Sequence, residues 1–230
     1  METSTAMSET MVKTACKALR LPSVAANAVR LADEMARQGR GHLEFLAELL
    51  AIELEDRRIR RAARRVKEAA FPIVKTLQGF DFRRAPDLPE VRIRQLFEGG
   101  YIDAAEPVIF VGDPGTGKTH LASSLAYAAA QQGRRVKFVT ASRLANELVE
   151  ARDARELGRV IRRYARIDLL VLDELAYLPL GRTDAELLFQ VLGERHEQRA
   201  VIVTTNLRFE EWTTVFPDPR LCKALLDRLT

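Results

Sequence analysis

Two cysteines, Cys16 and Cys222, are all that the 230-residue sequence contains. They are too few and too far apart for a disulfide framework or a cysteine-based zinc site, and they read as ordinary thiols of a reducing compartment. The three histidines, His42, His120 and His196, are scattered and offer no metal site. No uninterrupted apolar run reaches the roughly 18 residues that a membrane-spanning helix needs. The stretch from Met1 to Arg20 mixes polar and charged residues without the apolar core of a secretory signal. The expectation is a cytoplasmic protein with no membrane partner. Aromatic residues make up only 7% of the chain, which disfavours a surface built for stacking on unpaired bases.

What the sequence has is charge, unevenly placed. The net charge is +4 and the isoelectric point is near 9.3. Residues 57–67 hold seven basic groups and no acidic one, while the rest of the first ninety residues is net acidic. Such concentration suggests a patch that faces a polyanion.

The texture changes along the chain. Residues 1–80 read as a helical N-terminal domain, with His42 to Ala70 free of Gly and Pro. Residues 81–106, with Pro86, Pro89, Gly99 and Gly100, read as a linker or capping segment. From Pro107 onward short β-branched runs alternate with helical ones, the pattern of βαβ units and a parallel sheet. Strands are expected at Val108–Val111, Val136–Thr140, Asp168–Leu172 and Ala200–Thr204, each apolar enough to be covered on both faces. Helices are expected from Gly117 to about Gln132, Ser142 to about Ala151, Ala154 to Ala165 and Asp184 to Glu197. Asp153 and Glu156 have the spacing of a capping box for the third of these.

Gly112-Asp113-Pro114-Gly115-Thr116-Gly117-Lys118-Thr119 matches the pattern G-x-x-x-x-G-K-[ST], between a strand and a helix as that motif requires. Glycines let backbone N–H groups turn inward on phosphate oxygens, and the helix start adds its partial positive charge. Lys118 then reaches the outer phosphates and the Thr119 hydroxyl ligates magnesium. The run Leu169 to Glu174 ends a buried strand in two acids. Asp173 suits the magnesium and Glu174 the polarisation of an attacking water, the parts that ATP hydrolysis needs. The strand Val136 to Val139 lies between the two motifs in sequence, as in P-loop ATPases that insert a strand there. Thr204-Thr205-Asn206 closes the last strand. Asn206 is either a sensor of the γ-phosphate or a cap for the helix near Phe209–Trp212.

These residues resemble the AAA+ ATPases, and more narrowly the IstB-like transposition helpers and the related helicase loader DnaC. The likeness is carried by Gly112 to Ala122 (with His120 just after the loop), by Asp168 to Leu180, and by Glu186 to Gln190. Thr204 to Leu207 with Trp212, and Leu226-Asp227-Arg228-Leu229, add to it. It spans about residues 45–230 and includes Gly79-Phe-Asp-Phe. The resemblance implies an α/β fold, a P-loop NTPase of AAA+ type whose parallel sheet is covered by helices. It implies ATP and Mg²⁺ as cofactors, with the nucleotide held by Gly112 to His120, and an ATP-dependent oligomer on duplex DNA that delivers target DNA to a transposase. It also implies an arginine finger that reaches a neighbour's ATP, with Arg228 the best match and Arg220 the alternative. Such proteins continue into a helical lid with a second sensor arginine; this sequence ends at Thr230, which implies a short or truncated lid. A helicase loader gripping single strands, and a scaffold for which ATP is only assembly glue, are the competing readings.

Two helical faces are candidates for DNA. At about 100° per residue, Arg57, Arg58, Arg60, Arg61, Arg64, Arg65 and Lys67 take one half of a helix, and Ile59, Ala62, Ala63 and Val66 the other. Charge pairing with Glu53, Glu55 and Glu68 is the plainer use of that face. Arg155, Arg159, Arg162, Arg163 and Arg166 form a second stripe, in an arc of roughly 100°. Partnering the acids of a neighbouring subunit is its alternative. Backbone contacts by either stripe would be salt-sensitive and blind to sequence.

Overall fold

The structure, a computed structural model, describes residues 2–175, 181–214, 216 and 218–229; the part of the resemblance at 176–180 lies outside these. Among the described residues no helix is long and apolar enough to cross a membrane. Two compact units are present, residues 1–61 and 62–230. The division therefore falls inside the long third helix, where the sequence pattern places it at 80.

The smaller unit contains α1 (Glu2–Leu19), α2 (Pro22–Arg37) and the first two-thirds of α3 (His42–Ala69). Pro22 opens α2, where its missing N–H costs nothing. Val24, Leu31 and Met35 lie on one face of α2 and meet Cys16 and Leu49 in a small core. Glu53 of α3 is 2% exposed and accepts from the Ser23 and Val24 N–H groups at 2.9 and 3.2 Å. A buried carboxylate thus caps α2 from another helix.

The larger unit is built on four parallel strands, β1 (Val108–Val111), β2 (Val136–Thr140), β3 (Leu169–Asp173) and β4 (Ala200–Thr205), in the order β1-β4-β3-β2. Side chains alternate across the sheet. Leu170, Leu172, Val201 and Val203 enter one core with α7 (Ala141–Asp153), α9 (Arg182–Gly193) and α10 (Pro219–Leu229). Leu169, Val171, Ala200 and Ile202 enter the other with α6 (Lys118–Gln131). All five residues of β3 are buried, as expected for a strand covered on both faces.

Several details depart from the sequence reading. The strand that lies between β1 and β3 in the sheet is β4; Val136–Thr140 lies at the edge. β3 starts one residue later than expected, because Asp168 is occupied with Arg135, accepting from its N–H at 2.8 Å and its guanidinium at 3.0 Å. The capping box at Asp153 does not form. α7 runs through Asp153, Arg155 is left-handed at φ +59°, and α8 (Leu157–Ala165) starts at a Glu156 that makes no side-chain cap. Residues 81–106 hold α4 (Glu90–Leu96) and α5 (Gly100–Asp103). Their Ile93, Tyr101 and Ile102 are buried in the α6 core, so the segment is part of the body.

Candidate nucleotide and catalytic site

The loop after β1 is shaped by its glycines. Gly115 and Gly117 have φ of +81° and +91°, a region that L side chains avoid. A side chain at Gly117 would also meet the Phe80 ring at 2.7 Å. Thr116 donates to the Asp113 carbonyl at 2.8 Å, and the Gly112 N–H reaches the Thr205 carbonyl of β4 at 3.3 Å. Lys118, the first residue of α6, folds back to donate to the Gly112 and Asp113 carbonyls at 2.7 and 2.8 Å. Burial pulls its ammonium below the ordinary lysine pKa, against the opposing fields of Asp113 and Asp173.

Within the first turn of α6, the Thr119 hydroxyl donates to Asp173 Oδ1 at 2.9 Å. Asp173 ends β3 and is 4% exposed. The two residues meant for magnesium are therefore in contact, although 54 positions apart. The same Oδ1 accepts from the Thr204 hydroxyl, which in turn accepts the Glu174 N–H at 2.9 Å. The Thr204 carbonyl takes the Leu175 N–H at 2.9 Å. Glu174 is held in the left-handed region at φ +59° with its side chain exposed. In the sequence Thr204 figures only as part of a strand end. Its signal is the first of two hydroxyls that end an otherwise apolar, fully buried strand.

Asn206 follows β4 beside the loop and makes no side-chain hydrogen bond among the described residues. Just before the turn at Phe209–Thr214, Thr205 Oγ1 accepts the Leu207 N–H and Glu211 accepts the Arg208 N–H. His120, expected among the nucleotide contacts, is in the first turn of α6 and faces residues 76–80. Its Nε2 bonds the Thr76 carbonyl at 2.9 Å and its ring meets Phe80 edge-on, tying residues 76–80 to α6. Next to the loop is a cleft of about 420 Å³ lined by Arg84, Pro86, Leu88, Phe110, Gly112 and Lys118. Residues 84–88, read as linker, form one of its walls. Among the described residues no cluster of three or more His, Cys, Asp or Glu could hold a metal by itself. Thr119 and Asp173 instead present a hydroxyl and one carboxylate, oxygen donors of the kind that hold Mg²⁺ together with phosphates.

Arg228 lies elsewhere. Its guanidinium stacks on the Phe189 ring at 4.0 Å and passes close to Gly193. It shares a cavity with Pro107, Arg195 and Val201, at the starts of β1 and β4, the end of the sheet opposite Gly112 and Asp173. Arg220 is exposed on the first turn of α10.

The basic faces also resolve. On α3, Arg57 pairs with Glu53 at 2.8 Å, Arg58 with Glu55 at 2.7 Å, Arg64 with Glu68 at 3.7 Å and Arg65 with Glu68 at 2.7 Å. Arg60 reaches Glu53 at 3.5 Å, and Arg61 has no ion pair among the described residues. On and before α8, Arg159 pairs with Glu156 and Arg163 with Glu147, while Arg155, Arg162 and Arg166 have none among the described residues.

A phosphate loop on β1 and paired acids on β3, brought to one end of the sheet by the β4 that stands between them, define a P-loop NTPase fold of the AAA+ type. The family model for the IstB-like ATP binding protein matches residues 14–230, and the chain belongs to that family. It is 36% identical over 214 residues to the putative ATP-binding protein of insertion sequence IS5376 from Geobacillus stearothermophilus, covering 93% of this chain and 85% of the relative. It is 36% identical over 211 residues to that of insertion sequence IS21 from Pseudomonas aeruginosa, covering 92% and 80%. Among solved structures, the DnaI crystal structure matches with a TM-score of 0.56 at 17% identity, over 67% of this chain and 86% of that one. AMPPCP-bound DnaA from Aquifex aeolicus matches with a TM-score of 0.54 at 22% identity, over 66% of this chain and less than half, 47%, of the DnaA chain.

Proposed function

We propose that the protein is a Mg²⁺-dependent ATPase of a transposition system, which assembles on duplex DNA and delivers target DNA to a transposase. The observation that carries this reading is the 2.9 Å contact between Thr119 and Asp173, with Glu174 next in the chain. The kinship with insertion-sequence ATP-binding proteins supplies the biological setting.

In this reading Gly112, Asp113, Pro114, Gly115, Thr116 and Gly117 wrap the phosphates with backbone N–H groups, and Lys118 leaves its carbonyl partners to neutralise the outer ones. Thr119 and Asp173 would hold Mg²⁺, whose charge would offset that of the outer phosphates. Glu174 orients a water for in-line attack on the γ-phosphorus and accepts its proton as the bond to ADP breaks. Asn206, which follows β4 beside the loop, marks the γ-phosphate. Arg228 is too far along the sheet to serve its own nucleotide, which supports a role in a neighbouring copy, and hence an oligomer. The basic faces of α3 and α8 are the two candidates for the DNA contact. Two buried free cysteines suit work in the cytoplasm.

The test is Glu174→Gln. ATP binding and assembly on DNA are expected to persist while phosphate release falls by about a hundredfold or more, the usual loss for a general base. Unchanged phosphate release would instead support the reading in which ATP is only assembly glue.

A further inference from the structure

The ion pairs separate the two basic faces. On α3 the charge is largely spent within the chain. Arg57 and Arg60 both lean on Glu53, a buried carboxylate that would be stranded if they turned to another anion. Arg64 and Arg65 share Glu68. α8 differs. Arg162 and Arg166 lie one helical turn apart, both exposed, with no hydrogen bond or ion pair among the described residues. They open on a cleft of about 480 Å³ whose other polar walls are Arg135, Arg159 and Arg163. Those three are braced by Asp168, Glu156 and Glu147, yet among the described residues no carboxylate lines the cleft itself. The adjoining cavity, by contrast, mixes Lys137 and Arg143 with Glu68, Glu147 and Glu150.

We infer that the α8 cleft is where the phosphates of duplex DNA seat, with Arg162 and Arg166 as the contacting guanidinia and the α3 face not on the DNA path. The inference rests on the DNA-binding reading above. A cleft whose charged walls are all guanidinium groups is complementary to a polyanion, and the planar fork of arginine matches phosphate oxygens in pairs. Among the described residues no aromatic ring lines it, so none of them stacks on unpaired bases there, and the backbone of a duplex is the better fit. Side chains one turn apart on a helix can take successive phosphates of one strand.

The experiment is binding of the full chain, with a non-hydrolysable ATP analogue, to a labelled duplex of arbitrary sequence across a salt series. Every phosphate that the protein ceases to neutralise should lower the slope of log affinity against log salt by about 0.9. Arg162→Ala with Arg166→Ala should therefore take about 2 off the slope and bind roughly ten- to a hundredfold more weakly at 0.1 M salt, with ATP affinity unchanged. Alanine is the best helix former at exposed positions, so the fold is not at risk. Lysine at both positions should restore most of the slope, and Arg58→Ala with Arg61→Ala should keep that of the parent. A double alanine variant with the parent's slope overturns the cleft and leaves DNA binding standing. Loss of self-association with the slope intact overturns it too, and makes the cleft a protein interface. If the unaltered chain binds no duplex at all, the DNA reading falls and the cleft falls with it.

Discussion

The Thr204 hydroxyl has one proton to give and gives it to Asp173, while its lone pair takes the Glu174 N–H. One side chain thus orients the carboxylate meant for Mg²⁺ and the backbone of the acid meant for water. Glu174 sits in a left-handed conformation that costs a non-glycine residue on the order of 1 kcal/mol, and the Thr204 carbonyl helps to hold it there through the next residue's N–H. Thr204→Val keeps the shape and removes the hydroxyl. It should cut kcat roughly 10- to 100-fold with a smaller change in KM for ATP, and Thr204→Ser should recover most of the loss. Steady-state kinetics at a temperature well below unfolding checks this. A valine variant that melts earlier but turns over normally would leave Thr204 a purely structural residue. Most of the site was legible: the loop and the acids follow from spacing and from the strand and helix around them. Thr204 was not, because its partner is fixed by which strands are neighbours. Asp173 meets Thr204 only because β3 pairs with β4, with Leu172 opposite Val203, and one sequence does not state sheet order.

At the scale of elements, α9 and α10 build a seat for one cation. Arg228 stacks on Phe189, and a Cβ at Gly193 would crowd the Arg228 guanidinium directly. Gly193 is the last residue of α9, where alanine is preferred over glycine by about 1 kcal/mol. Gly193→Ala should therefore leave α9 intact or firmer and push the flexible guanidinium off its seat. ATP affinity is expected to hold while hydrolysis by the assembled protein falls tenfold or more, in the direction of a missing arginine finger. Mixing with Lys118→Ala subunits, which keep Arg228, should restore part of the activity. Full activity of the Gly193→Ala protein alone would remove Arg228 from the mechanism as drawn. Helices were easier to read than their ends. The helix expected to run to Glu197 stops at Gly193, and the residue two positions past it explains why. Arg195 is fully buried and donates to the carbonyls of Tyr164, Ile167 and Ala200. Burial pushes its pKa down to about 9. An arginine read by pattern is placed on the surface; only the packed structure, with three carbonyls aimed at one point, turns it inward.

Over the whole molecule, acid stability depends on carboxylates held by cations. In the smaller unit, burial raises the Glu53 pKa, but Arg57 and the N–H groups of Val24 and Ser23 outweigh it and hold it below the usual value. In the larger unit burial likewise raises the carboxyls, and the contest is won for Glu147 by Tyr164 and Arg163, and for Asp168 by its bonds from Arg135. A carboxyl with a lowered folded pKa adds stability above its unfolded value and loses it as pH falls through the folded one. Both units should therefore be stable near neutrality and weaken as pH drops below about 4, the ordinary range of these groups. Asp168→Asn isolates one contribution. Neutral asparagine mimics protonated aspartate, so the variant should melt about 2–4 °C lower than the parent at pH 7. The gap should close as acid protonates Asp168 in the parent. Thermal melts followed by circular dichroism from about pH 7 to about pH 3 give both curves, and a gap that stays constant to the acid end would mean that Asp168 acts through shape, with its charge irrelevant to the tie between β2 and β3.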